Sequence, residues 1–141
     1  MESILTPRSV RLALTYDIDP RMGLIRLSRT HHPTFAEWSG FLESVLMDPA
    51  FEPGLSILDD RREDRLAPPR AEAEAAAAWL RANAERLGPI RWAIVLEPSA
   101  QAAYGMARAA ELLADNSGVE WRVFTDLRTA TEWATSTSSS Q

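Results

Sequence analysis

Between Arg91 and Ala134 the sequence leaves few architectures open. Ile90 to Leu96 is nearly all apolar, as a strand buried on both faces of a parallel sheet should be. Ser99 then offers a helix cap. Ala103, Met106, Ala110 and Leu113 recur at helical spacing behind it. Gly118 opens a second strand from Val119 to Phe124, and Leu127 to Ala134 reads as a short closing helix with Ala130 and Trp133 spaced for packing. A strand, a helix and a second strand in this order predict a parallel sheet with a crossover.

The preceding residues extend the pattern. Val10, Leu12, Leu14 and Tyr16 alternate with Arg11, Ala13 and Thr15, which predicts a half-buried strand. Asp17 to Gly23 supplies turn residues, and Leu24 to Arg29 returns as the second arm of a hairpin. Thr34 and Glu37 form a capping-box pair before Phe35, Trp38, Leu42 and Val45, an apolar stripe ended by Asp48-Pro49. Gly54 to Asp59 reads as a buried strand. After a charged connection, Pro68 or Pro69 begins a helix that Gly88-Pro89 stops. Its inward stripe is Ala73, Ala76, Ala77, Leu80, Ala84 and Leu87, mostly alanine, so it buries little apolar area per turn. The expected fold is α/β: an opening β-hairpin, then βαβαβα, with a mostly parallel sheet of four or five strands and four helices. One domain over residues 8–134 is expected, with a flexible serine-rich tail at 135–141.

Composition removes several chemistries. There are no cysteines, so disulfides, thiolate catalysis and cysteine–zinc sites are excluded. All 15 basic residues are Arg, which rules out a Schiff-base lysine and a P-loop lysine. A net charge of −5 argues against a nucleic-acid groove and gives no long-range attraction to anionic lipid. No apolar run approaches the roughly 20 residues of a membrane span, and the first residues lack the basic and apolar regions of a signal peptide. The expectation is a cytoplasmic protein without a transmembrane span, for which peripheral membrane contact stays open.

In open parallel sheets ligands bind beyond the carboxyl ends of the strands. That rule selects Thr30-His31-His32, Asp59-Asp60, Glu97-Pro98-Ser99 and Thr125-Asp126. Adjacent histidines seldom share one ion, so no metal site and no cofactor are assigned. Asp59 with Glu97 would be the carboxylate pair of an enzyme reading, which needs a shifted pKa and a substrate within reach. No G-x-S-x-G elbow, G-x-G-x-x-G or P-loop occurs, and no catalytic residue is assigned. Trp79 lies off the alanine stripe, as an edge packing residue or as part of an apolar binding surface. Tyr104, Arg108 and Glu111 form a polar stripe on their helix, either a solvated face or a contact surface. The small residues of the second helix suggest a lid over an apolar ligand or a membrane surface.

Several segments together resemble the STAS superfamily, and within it the small bacterial SpoIIAA-like proteins. They are Leu24-Ile25-Arg26-Leu27 after the Asp19–Gly23 turn, Asp48-Pro49-Ala50-Phe51 before Gly54-Leu55, and Leu58-Asp59. Tyr104-Gly105-Met106-Ala107-Arg108 and Val123-Phe124-Thr125-Asp126, with Ala130 and Trp133, complete the set. The resemblance spans about residues 10 to 134. It implies a four- to five-stranded sheet wrapped by four helices and a role as an interaction module; the related CRAL-TRIO fold carries lipids. In the best-known members a serine after the Asp that ends the third strand is phosphorylated. Here Asp60 follows Asp59, so that hydroxyl is missing. The expectation is a non-enzymatic binding or regulatory module for a small apolar ligand, a lipid or a partner protein. Its candidate contacts are Asp59, Asp60, Trp79, Glu97, Tyr104 and Arg108. The alternatives are a small enzyme using carboxylates at the carboxyl edge of the sheet, and an anti-sigma-pathway interaction module without the phosphorylatable serine.

Overall fold

In the computed structural model, residues 14–63, 69–98, 105, 106, 109 and 118–136 are described. Five strands form one sheet, β1 (Leu14–Asp19), β2 (Leu24–Arg29), β3 (Ser56–Asp60), β4 (Ile90–Val95) and β5 (Val119–Phe124), in the spatial order of the sequence. β1 and β2 are the antiparallel hairpin; β2, β3, β4 and β5 are parallel. The helices are α1 (Phe35–Met47), α2 (Arg70–Ala82), the single turn α3 (Ala84–Leu87) and α4 (Leu127–Thr135). Gly105, Met106 and Ala109 are also helical.

The period of two along each strand decides which residues meet. Ile25 and Leu27, Ile57, Trp92 and Ile94, and Val119 share one face with Leu42 and Val45 of α1 and with Ala73, Ala77 and Leu80 of α2. Met106 and Ala109 join this larger core. Leu24, Leu58, Ala93 and Val95 have the opposite parity and pack on Ala130 and Ala134 of α4. Parallel strands laid down in sequence order need crossovers that all advance in one direction. Connections of one hand then fall on one face, so the other face is left for the terminal helix α4.

Local chemistry fixes the element ends. Thr34 Oγ1 accepts from the Glu37 backbone N–H at 3.0 Å, and Glu37 Oε1 accepts from the Thr34 N–H at 2.8 Å, so the capping box is complete. Asp126 caps α4 by accepting from the Thr129 N–H at 2.9 Å. β1 extends to Asp19, beyond the turn expected from Asp17. Register sets Asp17 opposite Arg26, and Arg26 reaches Asp17 at 3.2 Å and Asp19 at 3.5 Å. Opposite charges across the strands thus hold polar residues in the ladder.

The second helix also differs from its expected single run. Pro69 is its N-cap, and the helix breaks at Asn83, whose φ of −113° and ψ of 18° leave the helical region. Asn83 Nδ2 donates to the Trp79 carbonyl at 2.8 Å, a side-chain bond that competes with helix continuation. The single-turn α3 then ends at Gly88, as expected. The Ser99 cap, and Ala103, Ala110 and Leu113 of the following stripe, lie outside the described residues.

Candidate functional site

A cavity of about 50 Å³ lies between the α1–α2 layer and the sheet, toward the carboxyl ends of β2 and β3. Its charged lining is Arg29, Asp59 and Arg61, with His32 and Glu72. Its apolar lining includes Phe35, Trp38, Trp92 and Trp121. At roughly 10–15 Å³ per water, it holds a few non-hydrogen atoms. It does not hold an acyl chain, and drug-sized ligands occupy about 300–1,000 Å³.

Strand parity carries the polar groups inward. Arg29 continues the Ile25–Leu27 face of β2, and Asp59 and Arg61 continue the Ile57 face of β3. The three are 5%, 2% and 6% exposed, so this is a buried charged cluster rather than a solvated rim. Arg29 Nη2 donates to both Asp59 oxygens, at 3.3 and 3.2 Å. Trp92 Nε1 donates to Asp59 Oδ2 at 3.1 Å. One carboxylate therefore joins β2, β3 and β4.

Aromatic rings form the opposing wall. Trp92 and Trp121 are register partners on adjacent parallel strands, and their rings stack with centroids 4.6 Å apart and planes 25° apart. That distance is close to the spacing of neighbouring strands. Trp38 of α1 stacks over Trp92 at 6.4 Å and 28°, and Phe35 lies 5.9 Å from Trp38. Trp79 of α2 meets Trp38 edge-on, with centroids 5.6 Å apart and planes at 72°. Aromatic pairs of this kind contribute about 0.5–1.5 kcal/mol each beyond their buried area.

The covering helix touches this site through small groups and one polar link. Ala73 and Ala76 of α2 line the cavity. His32 Nε2, at the end of β2, lies 2.7 Å from Glu72 Oε1 on the first turn of α2. His31 has another partner, Thr30 Oγ1 at 3.2 Å from its Nδ1. Among the described residues, no group of three or more His, Asp or Glu side chains is placed to hold a metal ion.

The residues singled out from the sequence separate here. Asp59 lines the cavity. Asp60 faces away from that cluster chemically: it accepts from Arg62 Nε at 2.9 Å and Nη2 at 2.7 Å, which holds its carboxyl below the ordinary range. Trp79 is not part of the cavity lining but buttresses Trp38, which is. Glu97 is half-buried beyond β4 and is not among the lining residues. Tyr104 and Arg108 lie outside the described residues.

The carboxyl-edge rule selects His32 but not its partner Glu72, and Arg29, Arg61, Trp38, Trp92 and Trp121 are not among the candidates that the sequence offers. A signal exists for part of this set: Arg29 falls on the inward parity of β2, where a charged residue needs a reason.

A second, more open groove of about 490 Å³ lies at the amino ends of the parallel strands, lined by Gly54, Arg91, Gly118, Glu120 and Ser136. Its one arginine serves the fold. Arg91 Nη1 donates to the Trp133 carbonyl at 2.6 Å and to Ser136 Oγ. Its guanidinium and that of Arg122 lie 5.1 and 5.0 Å from the Trp133 ring. The aromatic cavity, with its buried charges at the carboxyl edge, is the stronger candidate. No helix among the described residues is long and apolar enough to cross a membrane. No family model, no curated protein and no solved structure matches this chain.

Proposed function

We propose that this protein is a non-enzymatic binding module that takes a small, largely apolar molecule into the aromatic cavity, with α2 as its cover. One observation carries the reading. A cavity walled by Phe35, Trp38, Trp92 and Trp121 is combined with buried polar groups at the carboxyl edge of the sheet, and apolar walls with a few placed polar groups are what ligand sites present. The resemblance to STAS domains points the same way, since it implies an interaction module and a sheet wrapped by helices. The small volume favours a compact molecule, or one end of a longer one, over a whole lipid chain. The enzyme alternative has less support. Asp59 is held by Arg29 and Trp92, in an arrangement that positions a structural carboxylate rather than one offered to a substrate.

Proton–nitrogen correlation spectra of the full chain, titrated with a mixture of small apolar fragments, test this. The expected result is concerted movement of the Thr34, Arg61, Ala73 and Ala76 amides with the Trp38 and Trp121 indole signals. Movement scattered over the surface, or centred on the groove at the other end of the strands, contradicts the assignment.

A further inference from the structure

Resting on the reading that the aromatic cavity binds a small molecule, we propose that the ligand enters with a carboxylate, which accepts a hydrogen bond from Trp121 Nε1. Trp121 lines the cavity, and its Nε1 is buried with no hydrogen-bond acceptor among the described residues. An indole nitrogen donates only, and leaving a buried donor unsatisfied costs about 1–3 kcal/mol. The carboxylates that line the same cavity are engaged by other donors. Both Asp59 oxygens take hydrogen bonds from Arg29, one of them also from Trp92, and Glu72 holds His32. Among the described residues, what Trp121 Nε1 lacks is an acceptor.

Beside the Asp59 and Glu72 carboxylates, the cavity also carries two cations, which favour a charged acceptor over a neutral one. Arg29 and Arg61, whose guanidinium groups carry donors only, line this cavity at 5% and 6% exposure. Hydrogen bonds to an ionised acceptor are roughly twice as strong as neutral ones, and a nearby cation favours the ionised form. Volume sets the fit: about 50 Å³ accommodates the three heavy atoms of a carboxylate. The remainder of the ligand then lies outward, against the half-buried rings of Phe35 and Trp38. The ligand class is a flat apolar acid, with its carboxylate inside and its ring or chain at the aromatic wall.

The test compares sodium benzoate with benzyl alcohol, which has a similar shape and no charge, on the nitrogen-labelled full chain. The chain has 5 tryptophans, so the indole region is sparse, and Trp121→Phe identifies the signal. The expected result is a saturable downfield shift of the Trp121 indole proton with benzoate and at least tenfold weaker binding of the alcohol. Trp121→Phe should weaken benzoate about tenfold and leave the alcohol within twofold. Equal binding of acid and alcohol overturns the carboxylate while leaving the cavity as a ligand site. A Trp121 indole signal that does not move with benzoate overturns it too. Binding of neither probe also overturns it, and the fragment titration above then decides separately whether the cavity binds at all. If Trp121→Phe does not fold, the benzoate and alcohol titrations of the unaltered chain decide alone.

Discussion

Asp59 is the residue on which the site and the sheet both depend. Its carboxylate is 2% exposed and takes donors from Arg29 of β2 and Trp92 of β4. Removing one partner of a buried ion pair costs about 3–5 kcal/mol, because the other charge stays buried. Asp59→Asn keeps the shape and an acceptor for Trp92 but removes the charge. Chemical denaturation should show a loss in that range, and a loss below about 1 kcal/mol would mean that Arg29 does not depend on this carboxylate.

Tyr16 and Asp48 carry the pH dependence at the same scale. Tyr16 Oη donates to Asp48 Oδ2 at 2.7 Å, tying β1 to the end of α1. The Ala50 backbone N–H first, and the Tyr16 hydroxyl second, hold the Asp48 carboxyl below its ordinary value of 3.8. Asp126 is lowered in the same way by the Thr129 hydroxyl and backbone N–H. For both carboxyls the unfolded chain binds protons first as pH falls. Their contribution is therefore full above about pH 4 and is lost as pH drops through the lowered folded values. The bond to Asp48 raises the Tyr16 phenol above its ordinary 10.0, so the unfolded chain loses that proton first and stability falls as pH rises past that value. Melting temperature against pH should decline on both sides, and Tyr16→Phe should shrink the alkaline decline. An unchanged alkaline arm would remove Tyr16 from this role.

Among the elements, the α3–β4 junction and α2 make opposite demands. Gly88 has φ 76° and ψ 172°, a region open essentially to glycine alone. A Cβ there would lie 2.9 Å from the Gly54 backbone nitrogen, whose N–H donates to the Leu87 carbonyl at 2.7 Å. Gly88→Ala therefore meets backbone strain and a backbone clash together. It should cost at least about 1–3 kcal/mol in a thermal melt, whereas no change would show that the loop relaxes freely.

The helix α2 buries Ala73, Ala77 and Leu80, so two of its three fully buried side chains are alanine. Elements that bury little apolar surface open more readily. Hydrogen exchange in residues 70–82 should be faster than in β4, with a bound ligand slowing it. Protection equal to that of β4 would contradict the role of α2 as a movable cover.

For the whole molecule, the sequence was most legible where one local rule acted alone. The Thr34 cap and its Glu37 partner place α1, and the strand readings of Leu24 to Arg29 and of Val119 to Phe124 after Gly118 coincide with β2 and β5. It was less legible where a partner elsewhere decides. Asp17 and Asp19 look like turn residues until Arg26 faces them, and Asn83 looks helical until its side chain takes the Trp79 carbonyl. The candidate site combines both cases. The carboxyl-edge rule led to Asp59, but the cavity draws its lining from separate strands and helices. Stacking of Trp92 on Trp121 follows only from the register of β4 against β5. Arg29, Arg61 and the three lining tryptophans become one site through register and layer packing, which no local pattern encodes.

The proposed binding of a small molecule in the aromatic cavity under α2 can be read directly from the mass of the protein. Native mass spectrometry of the protein purified from its own host tests it in one spectrum. The predicted result is a discrete added mass, lost on denaturation and absent from an Ala73→Phe variant that fills the cavity and keeps its circular dichroism spectrum. The contradicting result is the mass of the bare chain alone, or an added mass that the cavity-filling variant retains.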